Sequence, residues 1–213
     1  MRALIFGNGH IGDYGFIGAF LDESAFIVCA DGGLRHARAL NLAADALIGD
    51  LDSVPAGLLG EYKKSGRVRE IIRHDPEKDF SDMELAVTWA LKRGFDDLAI
   101  LGATGARLDH TLCNIQLLKR VLEAGKTALI ADEKNVMRLI KDEIYLSSKP
   151  GGLLSLVPLT PAVTGVRTAG LRYPLNGETL YLGSSRGVSN VFLRDRARVS
   201  VESGLLLVMQ CAD

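Results

Sequence analysis

Apolar residues recur along this chain in two rhythms. From residue 1 to about 131, short unbroken apolar runs alternate with amphipathic stretches. The runs at 3–6, 26–30, 46–48, 68–72, 98–101 and 128–131 predict strands, and their continuous apolar character fits parallel strands covered on both faces. Between them, residues 34–40, 56–64, 83–92 and 112–123 carry apolar side chains at helical spacing. Ser81 with Glu84 three positions on predicts a capping box, Gly94 stops that helix, and Gly125 stops the next. This alternation predicts an α/β domain over residues 1–131, with a doubly wound, mostly parallel sheet.

Beyond residue 132 the rhythm changes. Helical periodicity fades after Leu139 and short strands with turn signals replace it. Strands are expected at 153–157, at 171–175 and 179–182 around an Asn176-Gly177 hairpin turn, and at 205–209 after Gly204. Along 196–201, Ala197, Val199 and Val201 alternate with Arg196, Arg198 and Ser200. Residues 132–213 therefore read as a smaller antiparallel β-sandwich.

Composition narrows the function classes. Of the 213 residues 47% are hydrophobic and 24% charged, and the net charge is −1. No global field attracts nucleic acid or anionic lipid, so a site for a polyanion must be local. Cys29, Cys113 and Cys211 are scattered, which suits neither a disulfide framework nor a zinc site and points to a reducing, cytoplasmic setting. The opening apolar run is too short for a secretory signal, and no stretch approaches the ~20 residues of a membrane span.

Acidic residues gather at expected strand ends. Asp31 follows the second strand in Ala-Asp-Gly-Gly, Asp50 and Asp52 follow the third, and Asp79 and Asp82 follow the fourth. Arg107 and Asp109 follow the fifth, after Gly102-Ala-Thr-Gly105. Such carboxyl-end rims are where open α/β sheets bind ligands. Each acid alone also suits a helix cap, Asp82 and Asp109 most of all. Asp50 and Asp52, two apart, share one side of an extended loop. Two carboxylates ~4 Å apart repel by ~4 kcal/mol at an effective dielectric of 20, and only Lys78 and Arg107 stand nearby to offset several of them. An all-oxygen cluster without His or Cys selects Mg²⁺, the ion that phosphoryl transfer uses. The glycines at 32, 33, 102 and 105 let backbone N–H groups approach phosphate.

Two other motifs compete. Gly7-Asn-Gly-His-Ile-Gly12, with Asp31 downstream, matches a dinucleotide-binding fingerprint and raises an NAD(P)-dependent oxidoreductase as the alternative, but leaves Asp50, Asp52, Asp79 and Asp82 without a role. Gly125-Lys-Thr127 lacks the first glycine of a P-loop and follows a helix. His10 and His36 read as surface or packing residues, whereas His74 and His110 adjoin the acidic loops.

As a set, Ala30–Gly33, Gly49-Asp-Leu-Asp-Ser53, Lys78-Asp-Phe-Ser-Asp82 and Gly102 through His110 with Asn114 resemble the thiamine pyrophosphokinase family. Gly170-Leu-Arg-Tyr173, Gly187-Val-Ser-Asn190 and the run from Gly204 extend the resemblance over nearly the whole chain. It implies diphosphate transfer from ATP to the thiamine hydroxyl, with AMP released, by a homodimer whose second domain binds thiamine and meets its partner. Asp50, Asp52 and Asp79 or Asp82 would hold Mg²⁺, while Asp31, Lys78, Arg107 and Asp109 would surround the phosphates or support that metal shell, with Gly32, Gly33 and Thr104 also at the phosphates. Ser189 and Asn190 would contact thiamine. Glu77, Ser81, Val188 and Leu51 depart from the residues usual in the family. A thiamine-binding protein of the same fold without catalysis is the remaining alternative, which the full set of mutually repelling acids disfavours.

Overall fold

The computed structural model describes the chain apart from Glu23, Lys78, Ala106 and Asp213. These residues form two compact units, Met1–Glu133 and Lys134–Asp213.

The first unit is built on strands β1 (Arg2–Phe6), β2 (Phe26–Ala30), β3 (Ala44–Gly49), β4 (Val68–Arg73), β5 (Asp97–Leu101) and β6 (Thr127–Ala131). They lie in the order β6-β5-β1-β2-β3-β4 and pair in parallel. The chain steps outward from β1 to β4, then crosses to the other side of β1 for β5 and β6. That reversal puts a topological switch point between β1 and β5. The strands run apolar because their side chains are enclosed: Leu4, Ile5, Val28, Leu47, Ile48, Leu98 and Ile100 are buried.

Helices α1 (Leu34–Ala39), α2 (Leu58–Lys64), α3 (Asp82–Lys92) and α4 (Leu108–Glu123) connect the strands. Helix α3 packs Met83, Ala86, Val87 and Ala90 inward and lies against β2 and β3. The capping box forms only in half. The Glu84 N–H donates to Ser81 Oγ at 3.2 Å, but the Glu84 carboxylate pairs with Arg120 of α4 at 2.6 Å. Helix α4 begins four residues ahead of the expected 112, because Leu108 and Leu112 are exposed and no inside–outside pattern marks its first turn.

The second unit holds β7 (Asn135–Ile140), β8 (Glu143–Ser147), β9 (Leu153–Pro158), β10 (Ala162–Ala169), β11 (Asn176–Tyr181), β12 (Asn190–Val191), β13 (Arg196–Ser200) and β14 (Leu206–Cys211). Within it, β12-β9-β14-β7 pair antiparallel, as do β11-β10-β13-β8. Leu154, Leu156, Leu206 and Val208 from the first set meet Val163, Val166, Ala197 and Val199 from the second in one core. The Asn176-Gly177 pair is not a hairpin turn. Both residues belong to β11, whose irregular register against β10 accommodates Gly177, and residues 171–175 contribute only a single bridge, Leu171 to Phe192. The helical spacing that reaches Leu139 is overridden by pairing of β7 with β14. Among the described residues no helix is long and apolar enough to cross a membrane.

Candidate active site

Asp31, Asp50 and Asp82 converge, with one carboxylate oxygen from each lying within 4.8 Å of the others. Each comes from a different strand end. Asp31 follows β2 and opens a 3-10 turn, Asp31–Gly33, that runs into α1. It is nearly buried and sits at φ +46°, an unusual backbone for a residue with a side chain. Asp50 follows β3, and Asp82 is the first residue of α3. Gly49 makes the convergence possible: at φ +147° a Cβ there would stand 3.0 Å from both the Asp31 Cβ and Asp82 Oδ1.

Two of the expected metal-binding acids fall outside this trio. Asp52 is exposed, its N–H donates to Asp50 Oδ1 at 3.2 Å, and its carboxylate accepts from Ser53 Oγ at 2.9 Å. Leu51 between them takes φ +72°, which turns Asp52 away from a simple extended alternation. Asp79 is exposed on the loop before α3. Asp31, expected beside the phosphates or in support of the metal shell, stands among the carboxylates. Lys78 lies outside the described residues.

Burial pushes the Asp31 carboxyl above the usual carboxylate range, and the nearby charges of Asp82 and Asp52 add to this. Hydrogen bonds from Ser53 and the Gly32 N–H act against it. Asp31 Oδ1 is buried with no hydrogen-bond partner among the described residues. A buried, orphaned oxygen beside two further carboxylates fits a small hard cation. The donor set, all oxygen, matches Mg²⁺ better than zinc.

A cleft of about 430 Å³ opens beside the trio, lined among others by Asp31, Ser53, Asp82, Thr104, Arg107 and His110. Arg107 is the residue before α4, and its guanidinium pairs with Asp109 in the first helical turn at 2.6 Å. The guanidinium bond holds the exposed Asp109 carboxyl down to about 2, with the His110 N–H assisting. Thr104 Oγ1 donates to Asp132 at 3.0 Å, and buried Asn114 donates to the Ala103 carbonyl at 2.7 Å, so both brace the Gly102–Gly105 loop. Gly32 and Gly33 are buried, and a Cβ at Gly33 would run into the Phe6 carbonyl. His74 is not among the residues lining the cleft.

Sequence reasoning passed over Gly7 and Asn8, which line the same cleft. Their signal was the Gly7–Gly12 motif itself, read as a dinucleotide fingerprint. Here the motif does not open an α-helix, since only a short 3-10 helix, Gly15–Ala19, follows it. Its backbone instead bonds across the switch point, from the Gly7 N–H to the Leu101 carbonyl at 2.8 Å and from the Gly9 N–H to the Gly102 carbonyl at 2.7 Å.

Ser189 and Asn190 belong to the second unit. Ser189 is exposed at φ +60°, and its N–H donates to Ser155 Oγ at 3.1 Å. Asn190 is buried, and both the oxygen and the nitrogen of its amide are engaged. It accepts from the Tyr173 N–H at 3.1 Å and the Val191 N–H at 2.9 Å, and donates to the Tyr173 carbonyl at 2.7 Å. A cavity of about 210 Å³ is lined among others by Tyr173, Arg186, Val188 and Asn190.

Comparison with known proteins bears directly on this arrangement. Residues 17–130 match the model of the thiamin pyrophosphokinase catalytic domain, and residues 141–206 match that of the thiamin pyrophosphokinase vitamin B1 binding domain. The chain belongs to the thiamin pyrophosphokinase family. Thiamine pyrophosphokinase of Bacillus subtilis is 27% identical over 196 residues, covering 91% of each chain. Thiamine pyrophosphokinase 1 of Oryza sativa is 25% identical over 210 residues, covering 87% of this chain and 78% of that one. The crystal structure of thiamine pyrophosphokinase from Bacillus subtilis superimposes with a TM-score of 0.92 at 25% identity over all of both chains. That of the family protein from Enterococcus faecalis gives 0.87 at 26% identity, again over all of both chains.

Proposed function

We propose that this chain is a Mg²⁺-dependent, cytoplasmic thiamine diphosphokinase that moves the diphosphate of ATP onto the thiamine hydroxyl and releases AMP. The observation that carries this reading is the meeting of Asp31, Asp50 and Asp82 beside a glycine-walled cleft, in a chain matched by both domains of the family.

The reaction asks for alignment and for neutralisation of charge on the phosphate oxygens. The hydroxyl oxygen bonds to the β-phosphorus, the bond from that phosphorus to the oxygen bridging to the α-phosphate breaks, and AMP departs with that oxygen. The hydroxyl proton passes to a carboxylate of the site. Asp31, Asp50 and Asp82 would hold Mg²⁺, with Asp52 and Asp79 on the loops around them. When bound, Mg²⁺ supplies charge stabilisation to the phosphate oxygens. Arg107 reaches the same oxygens by exchanging Asp109 for phosphate, and Asp109 keeps it poised until then. Backbone N–H groups of the Gly102–Gly105 loop, with Thr104, cradle the chain of phosphates. Lys78 belongs to the same expected phosphate environment. Thiamine would rest against Ser189 and Asn190, and the exposed Tyr145, Tyr173, Tyr181, Leu182, Val188 and Leu193 of the second unit support homodimer formation.

The test is incubation with Mg-ATP and thiamine while AMP and thiamine diphosphate are followed by chromatography. Both products should appear in equal amounts, and Asp50→Asn should abolish them while the circular dichroism spectrum is kept. Equal turnover in that variant would sink the proposal. An oxidoreductase reading is not favoured, because Asp31 faces two other carboxylates and the Gly7–Gly12 turn opens no α-helix.

A further inference from the structure

We infer that Asn8 is a nucleotide-contacting residue of the cleft, whose side-chain amide donates to the phosphate chain between the carboxylate trio and Arg107. The inference rests on the diphosphate-transfer reading and adds a residue to it.

Asn8 follows β1, the strand next to the switch point, where the crevice of an open α/β sheet takes its ligand. The crevice itself is closed by the two backbone bonds from Gly7 and Gly9 to Leu101 and Gly102. A ligand must lie across this seam rather than in it, and the exposed Asn8 stands on the seam.

The turn that carries Asn8 is held from below. Arg35 Nη2 donates to the Asn8 carbonyl at 2.5 Å and to the Gly9 carbonyl at 2.9 Å. His36 Nε2 meets the same Gly9 carbonyl at 2.9 Å. A carbonyl only accepts, so Nε2 carries the proton and Nδ1 accepts from the Tyr14 hydroxyl at 2.8 Å. The backbone of Asn8 is thereby fixed, and its side chain is laid over Gly32, where any Cβ would collide with Asn8 Oδ1. That places the amide over the residue after Asp31, on the cleft that both Asn8 and Asp31 line, and it makes no side-chain hydrogen bond to another described residue.

Charge explains why an amide suits this spot. A cation here would compete with Mg²⁺ for the carboxylates, and an anion would repel phosphate. A neutral donor does neither, and a bond from it to a charged oxygen is of the stronger kind.

The experiment titrates Mg²⁺ with a non-hydrolysable ATP analogue into the full chain by calorimetry, for wild type, Asn8→Ala and Asn8→Asp, beside melting temperatures and steady-state kinetics. Asn8→Ala should weaken the analogue about tenfold and Asn8→Asp about a hundredfold. KM for ATP should follow, with KM for thiamine unchanged and melting temperatures within about 2 °C of wild type. Wild-type affinity in both variants, or a change that tracks loss of stability and is not worse for Asp than for Ala, overturns the inference. A wild-type chain that binds the analogue but makes no AMP overturns the proposed reaction alone, because the affinities still decide the role of Asn8. One that fails to bind the analogue overturns both.

Discussion

Asp31 and Asp82 face each other across the end of the sheet, their carboxylate oxygens within 4.8 Å although one follows β2 and the other begins α3. Folding brings like charges together, which costs stability whenever no cation lies between them. Asp31→Asn removes one charge and the penalty of burying it. In EDTA the variant should melt about 2–4 °C higher than wild type, the size expected of about 1 kcal/mol in a chain of this length. With Mg-ATP and thiamine it should form AMP about 100-fold more slowly. A melting temperature below wild type in EDTA would show that Asp31 is satisfied without a cation.

His36 makes the first unit acid-sensitive. Burial lowers its imidazole from the ordinary value of 6.5 to about 4, the Gly9 carbonyl opposes this, and Arg35 and His10 add to the lowering. Below 6.5 the unfolded chain takes up a proton that the folded chain refuses, so stability falls progressively toward pH 4 and is fully retained above pH 6.5. The span corresponds to about 3 kcal/mol. Urea denaturation between pH 4 and 7 should show wild type losing this much relative to His36→Gln, which keeps a donor for Gly9 but does not titrate. Parallel profiles would contradict the buried neutral tautomer.

Two glycines should respond in opposite directions to alanine. A Cβ at Gly33 meets the Phe6 carbonyl, which backbone cannot yield cheaply, so Gly33→Ala should cost about 3 kcal/mol. Gly60 lies inside α2 with open space around it, and Gly60→Ala should gain about 0.5–1 kcal/mol. Chemical denaturation of the two variants checks both signs.

Asn190 and Ser189 were assigned together from sequence, yet they differ physically. Asn190→Ala removes the buried amide that pairs with the Tyr173 N–H and carbonyl and should lose about 1–3 kcal/mol. Ser189→Ala should leave the melting temperature within about 2 °C and raise KM for thiamine. A stability loss of equal size in both would argue that the segment is only structural.

The pattern of apolar runs foretold all six strands of the first unit and four of its helices, since burial on both faces of a sheet leaves a plain imprint. Nothing in the sequence announces φ +46° at Asp31 or φ +72° at Leu51, and these two angles decide which acids converge and which do not. Asn8 was hidden by its own motif, because glycines that allow main-chain bonding look the same as glycines that receive a pyrophosphate. In the second unit, β7, β8, β10 and β12 went unforeseen. Their residues alternate weakly, and Asn176-Gly177 carries the local signal of a turn while pairing places it in a strand.

Leu51 links Asp50 to Asp52 with a left-handed backbone that costs a branched side chain about 1 kcal/mol. Glycine would erase that penalty, but it would also give the unfolded chain more freedom and leave the two acids on a looser hinge. The two effects on folding nearly cancel. A screen for heat tolerance would therefore be almost blind at position 51, whereas a screen for turnover would not.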